Sequence, residues 1–354
     1  MISRTDTLNE ALDRLHAYGY LDAPGFACHG PMGAETLSTL GHDDGVAAWV
    51  EAYKARHQPL DVPAPIDRID PHDEQSWRPA LGDVSRVSDW AAMFGRQLSD
   101  QPWPAVVSRW VPRLLSGYAG ALTHGLIRVA HGVRALPTEG PPSDLLLAEL
   151  AKGLAYWAAT FKTLPGRPGL AGPLALPDAI ARLPRPRQRW SAIEAGTFAR
   201  MDELAGFPDA IEALGPPRSL DDALSDLTAA FAGMVLATTD GNVVGPVHAI
   251  TPVAAVRTLQ PYLTGVSVAA LYGHLWHVGA AITCGFTPAS VAERPSASPG
   301  AEVPTQTEIV ARAVEHRDTH ALKFAEACAR EHARRPDPAY MLAAQHVIEQ
   351  LPRW

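Results

Sequence analysis

The chain has 354 residues, enough for one large domain or two ordinary ones, and 47% hydrophobic against 19% charged residues is a folded, globular composition that excludes a disordered or collagen-like chain. The formal net charge is -8 and Lys and Arg form no long cluster, which argues against nucleic acid as a partner. Three cysteines, Cys28, Cys284 and Cys328, are odd in number and lack CxxC spacing, so a reduced, cytoplasmic protein is expected rather than a disulfide framework. The first residues, MISRTD, have neither the apolar core of a secretion signal nor the pattern of a transit peptide.

In chain order, TLNEALDRLHAY over residues 5–18 sets Leu8, Leu12 and Leu15 on one helical face. After a loop with Pro24 and Gly25 comes CHGPMGAETLSTLG, in which Pro31 suits the first turn of a helix and Gly41 its end. His29 therefore sits just before a short helix, where a fixed irregular segment can aim a side chain. Helices are predicted over 45–56, 88–98, 103–136 and 143–164, with a proline- and aspartate-rich connection over 59–79. The proline- and glycine-rich stretch 165–186 reads as a long surface connection between two halves, 1–165 and 187–354. Further helices are predicted over 188–205, 219–239, 253–262, 266–286, 305–332 and 338–351. Residues 266–286 carry no Lys, Arg, Asp or Glu, but they contain His274 and His277, so they read as a buried core helix and not a membrane span. Strand-like alternation is scarce and no internal repeat occurs. The expectation is an all-α, multi-helix single large domain with a buried polar or metal site.

The GxGxxG, GxxxxGK[ST], GxSxG and HExxH motifs are all missing, which removes the sequence support for nucleotide-binding, hydrolase and zincin chemistry. Histidine placement remains. In HGLIRVAHGVR, His124, Arg128 and His131 fall at i, i+4 and i+7 on one stripe of the predicted helix. Gly117, Gly120, Gly125 and Gly132 in the same run imply close approach by another backbone or a ligand. Two inward histidines two turns apart could grip a metal between them; the alternative is polar residues satisfied in a helix interface. VHAITP puts His248 in an apolar segment beside Pro252, near an element boundary. DTHALK puts His320 and Lys323 at i and i+3 on one face. An inward lysine either pairs with a carboxylate such as Glu35 or Glu326, or is modified so that it offers an oxygen ligand. The remaining histidines, among them His316, lie in polar surroundings and read as surface residues.

HGPMGAETLSTLG, HGLIRVAHGVRAL, ELAKGLAYWAATFKTLP, VHAIT and DTHALK, in that order, resemble the questin oxidase-like family, whose fungal members act on anthraquinones and related aromatic polyketides. The resemblance implies oxidative ring cleavage or Baeyer–Villiger-type oxygen insertion. It also implies a mononuclear non-haem Fe(II) held by several histidines and an N-carboxylated lysine. Carried to this chain, the ligands are His29, His124, His248 and Lys323, with His320 in the same motif as the lysine. The pattern departs at Arg128, where fungal sequences look to have their second histidine, and at His131, where they tend to have tyrosine; His131 lies on the same stripe and stands in as the remaining ligand. Arg128 or Arg134 is expected to neutralise a phenolate or carboxylate of the substrate, and Tyr156 and Trp157 to line an aromatic slot. The implied partners are an aromatic small molecule and O₂, with no membrane. Two other readings stand beside this one, a flavin- or NADPH-assisted monooxygenase and a non-catalytic helical binding protein.

Overall fold

The protein is described by a computed structural model over residues 3–188, 190–238, 242–286 and 302–354; Arg189, at the end of a basic stretch, and Thr239 fall outside these. Among the described residues, 17 α-helices accompany one two-stranded antiparallel ribbon, Leu21–Asp22 with Phe26–Ala27, so the fold is all-α as expected. The chain divides into two compact units, one of Met1–Thr163 with Thr258–Thr264, the other of Leu164–Arg257 with Gly265–Trp354.

The first unit carries α1 (Arg4–Arg14), α2 (Gly30–Thr39), α3 (Asp43–Arg56), α4 (Glu74–Trp77), α5 (Val87–Asp100), α6 (Trp103–Leu114), α7 (His124–Ala135) and α8 (Asp144–Ala159). Helix α8 starts where the Ser143 hydroxyl accepts the Leu146 amide, and most of its length is buried. Around it pack α5, α7, α1 and α6. Trp110 sits edge-on to Trp77, Trp90 and Phe94, with ring centroids 5.2–5.6 Å apart, contacts worth about 0.5–1.5 kcal/mol each beyond area burial.

The second unit holds α9 (Leu176–Ala181), α10 (Ala192–Thr197), α11 (Phe207–Glu212), α12 (Leu220–Leu236), α13 (Val244–Leu259), α14 (Val268–Phe286), α15 (Gln306–His316), α16 (Thr319–Arg334) and α17 (Pro338–Gln350), the last two residues of α13 counting with the first unit. Helix α16 lies between α15 and α17, and α12 packs on α17 and α14. The long α14 is almost wholly buried, and no helix of the described residues is long and apolar enough to cross a membrane.

The departures from the sequence reading have local causes. The helix expected over 103–136 is two helices. Helix α6 ends in a 3-10 turn at Leu115–Gly117, and Ala121, Leu122 and Thr123 then adopt left-handed conformations with φ of 47°, 47° and 69° before α7 begins at His124. The chain leaving α8 occupies the space a continuous helix would fill: the Lys162 amide donates to the Gly117 carbonyl at 2.9 Å, and a Cβ on Gly120 would lie 1.5 Å from the Thr160 carbonyl oxygen. The helix expected over 305–332 breaks at Arg317, φ 67°, and restarts where Asp318 accepts the His320 and Ala321 amides. Pro252 does not end an element, because α13 runs through it, and the stretch 188–205 holds only α10 and a 3-10 turn at Met201–Glu203.

Gly120→Ala is expected to destabilise the protein by about 3 kcal/mol, since the added carbon meets backbone that has no room to move. Gly95→Ala, on the exposed face of α5 with nothing within 4 Å of the new carbon, is expected to stabilise it by about 1 kcal/mol. Denaturant unfolding of the two variants checks both signs.

Candidate metal centre

In the first unit, His29 precedes the first turn of α2 and His124 is the first residue of α7; both are buried. Their Nε2 atoms lie 3.0 Å apart and the rings meet edge to face. The His29 Nδ1 is 2.5 Å from the Ala27 carbonyl oxygen, and the His124 Nδ1 is 2.6 Å from that of Ala121. A carbonyl only accepts, so each Nδ1 carries a proton, and in a neutral ring the Nε2 is then the atom that offers a lone pair. Two lone pairs face one another, an arrangement that a cation or a shared proton must reconcile. Two nitrogens bound at right angles to one ion at about 2.1 Å would themselves be about 3.0 Å apart, so this pair fits a first-row divalent metal.

Behind His29 the main-chain amide donates to the Tyr53 hydroxyl at 2.9 Å, and that hydroxyl donates in turn to Asp22. Burial raises the Asp22 carboxyl above its ordinary range against the pull of the Tyr53 hydrogen bond. Nothing in the sequence pattern pointed to this Tyr53–Asp22 support, because the two residues lie 31 positions apart.

In the second unit the His248 Nδ1 is 2.6 Å from the Val244 carbonyl on the same helix, so a third histidine presents its Nε2 by the same device. Its ring meets that of His320 edge to face with centroids 5.5 Å apart. Asp318 Oδ1 lies 3.6 Å from the His320 Nδ1. Burial alone would raise the Asp318 carboxyl, yet the His320 side chain and the amides of His320 and Ala321 bring it down to about 2. Lys323, one turn on, is 3% exposed, and burial pulls its amine down to about 7 with only the charge of Asp318 opposing. Neither carboxylate suggested for it is its ion-pair partner: Glu326 pairs with Arg330, and Glu35 is engaged elsewhere.

His131 belongs to a different cluster from His124. Seven helical residues are about 10.5 Å of rise, too far for two ligands of one ion, and the His131 Nδ1 is 2.7 Å from Glu35 Oε2. Glu35 also accepts both donors of Arg134, at 2.8 and 2.7 Å, and one from Arg4 at 2.8 Å. Arg128, expected to meet a substrate anion, instead makes a bidentate pair with Glu149 at 2.7 and 2.9 Å and donates to the Gly19 carbonyl, so its charge is neutralised inside the protein. Tyr156 is buried against Tyr20 and Trp157 is buried beside α7. His277 donates to the Pro165 carbonyl, and His316, expected at the surface, is buried with its Nε2 3.2 Å from the Leu351 carbonyl.

The sequence profile of the family described as Questin oxidase-like matches residues 46–139, about a quarter of the chain, which supports the resemblance drawn from the motifs. The matched stretch holds α7 with His124, Arg128 and His131, and excludes His29, His248, His320 and Lys323. The family's description is that of oxidases, a class of oxidoreductase. No curated protein matches the chain.

The Glu35 cluster yields a pH prediction. Burial opposes ionisation, but Arg134 and His131 outweigh it and hold the Glu35 carboxyl far below the ordinary glutamate range. A depressed carboxylate contributes stability that is fully present above the unfolded value, near 4.5, and is lost as the pH falls below it. Glu35→Gln is therefore expected to cost about 3 kcal/mol at pH 7, because it takes the carboxylate from the part-buried Arg134 and from Arg4, and to flatten the acid limb of the stability–pH curve. Urea unfolding of both proteins from pH 7 down to about pH 3 measures this.

Proposed function

We propose that this protein is a non-haem iron(II)-dependent oxygenase that oxidises the ring of a phenolic, polyketide-like aromatic compound. The observation that carries the reading is the facing pair of Nε2 atoms of His29 and His124, each on a ring whose Nδ1 is held by a carbonyl behind it. The family resemblance adds His248 and Lys323, with His320 in the lysine's motif, to the ligand set. Imidazoles with one hard anionic oxygen suit a divalent first-row metal. Iron(II), when bound, supplies the one-electron chemistry that lets O₂ react with an aromatic ring.

Each residue has a part in this reading. The Ala27, Ala121 and Val244 carbonyls fix the tautomer and ring orientation of His29, His124 and His248, a role whose loss commonly costs 10–100-fold in affinity. Asp318, 3.6 Å from the His320 Nδ1, steadies that ring. Lys323, with its amine near pH 7 in affinity, is substantially unprotonated at neutral pH, the form that adds CO₂ to give a carbamate. Arg128 and His131 support the helix from the side, through Glu149 and Glu35, and take no part in binding the ion.

Protein purified without chelator is expected to contain near-stoichiometric iron by elemental analysis. His124→Ala and Lys323→Ala should each weaken iron binding by about 100-fold or more, and loading of the wild type should rise with added bicarbonate. Full stability with no bound metal, and no effect of either substitution, would overturn the reading.

A further inference from the structure

Four tryptophans are less than 2% exposed: Trp90, Trp110, Trp157 and Trp276. Three donate their indole N–H inside the protein, Trp90 to the Ala80 carbonyl at 3.0 Å, Trp110 to Gln97 at 2.7 Å and Trp276 to the Ile211 carbonyl at 3.2 Å. The fourth, Trp157, has a buried Nε1 with no hydrogen-bond partner. An indole nitrogen can only donate, and leaving a buried donor unmet costs free energy that a core position has no reason to keep.

Thr123 shows the same anomaly. Thr36, Thr228 and Thr251 each return their hydroxyl to the carbonyl four residues earlier in a helix. Thr123 is 0% exposed, but it is itself the last of three left-handed residues and so lies outside any helical ladder, and its Oγ1 has no partner. A β-branched residue with φ of 69° is itself strained, and here the chain leaving α8 holds the strain in place. Both groups flank His124. Thr123 precedes it in the chain, and α8 passes so close that a Cβ on Gly125, the next residue, would lie 2.5 Å from the Trp157 Cα. Two unmet donors thus belong to the elements on either side of one candidate ligand.

We propose that the Trp157 indole N–H and the Thr123 hydroxyl are a paired hydrogen-bond clamp for the phenolic oxygen of the aromatic substrate, and so are substrate-binding residues. This inference rests on the oxygenase reading for the identity of the ligand. Both donors act on a partially anionic oxygen, where hydrogen bonds are strong, and the left-handed turn keeps the threonine hydroxyl out of the helix ladder so that it is available.

The test is anaerobic titration of the iron(II)-loaded protein with 4-nitrocatechol, a chromophoric phenol followed by its absorbance. Trp157→Phe and Thr123→Val are each expected to raise the Kd about tenfold at unchanged iron content, and Thr123→Ser to restore wild-type binding. Thr123→Val, which keeps the shape of the side chain, should not lower the unfolding stability of the metal-free protein, because it removes a hydroxyl with no partner; a merely structural role would lower it. Wild-type affinity in both variants overturns the clamp while leaving the iron reading intact. Should the wild type take up no iron, the oxygenase reading fails separately, and the clamp is then judged by the same substitutions on 4-nitrocatechol binding to the metal-free protein.

Discussion

Two imidazole nitrogens held 3.0 Å apart with their lone pairs facing are the constraint around which the first unit is arranged. The arrangement is unfavourable for neutral rings alone, so the surrounding structure must hold it. On one side a Tyr53 hydroxyl, itself tied to Asp22, fixes the backbone of His29 at the entry to α2. On the other, the chain turns through three left-handed residues so that the Ala121 carbonyl meets the His124 ring. A proton shared between the rings would leave one charged and buried imidazolium, which is costly without a carboxylate; a divalent ion spreads its charge over several ligands and uses both lone pairs. The same economy of design appears at His248, where a helix carbonyl one turn back sets the tautomer.

The left-handed turn in turn depends on glycine. Gly120 and Gly125 let the end of α8 and the chain beyond it pass within backbone contact of the start of α7, and a side chain at either position would collide with that chain. Further along α7, Arg128 and His131 are tied to Glu149 and Glu35. These buried ion pairs fix the rotation of the helix about its axis, and that rotation decides where the His124 ring points. The polar stripe of α7 thus splits by function along its length: its first residue faces the histidine pair, and the next two turns hold it in place.

Much of this was legible in the residues and some was not. The apolar periodicity of Leu8, Leu12 and Leu15 and the Pro31–Gly41 bracket are local signals, and they located α1 and α2 to within a few residues. The break before His124 was missed because Ala, Leu and Thr are residues that avoid left-handed backbone; what forces them there is the passage of Thr160 and Phe161, a contact made 40 positions away. The glycines of that run did signal close backbone approach, but not that they would end a helix. The restart at α16 had a readable sign in Asp318, a residue type that caps helices, which the pattern of DTHALK was read without. Placing His131 with His124 failed for a reason of scale: sharing a helix stripe is not sharing a ligand sphere, since two turns of rise exceed the span of one ion. Arg128 looked available because a sequence does not reveal that Glu149 will cross over from α8 to meet it.

Lys323 brings the remaining physics together. Its amine is buried, and the nearby carboxylate, Asp318, is spent on the His320 side chain and two backbone amides. Left as an ammonium, the group would be an under-compensated buried charge; left as a free amine, it is tolerated, and its affinity for protons falls accordingly. On the proposed reading, adding CO₂ with release of a proton to solvent converts that neutral base into a carbamate anion, which in the same buried setting is disfavoured unless a cation is close by. The carbamate therefore needs the metal, and the metal gains its hard oxygen ligand from the carbamate. The two equilibria are coupled, so each species raises the apparent affinity of the protein for the other by the same factor, and the modification is stable where the ion is bound.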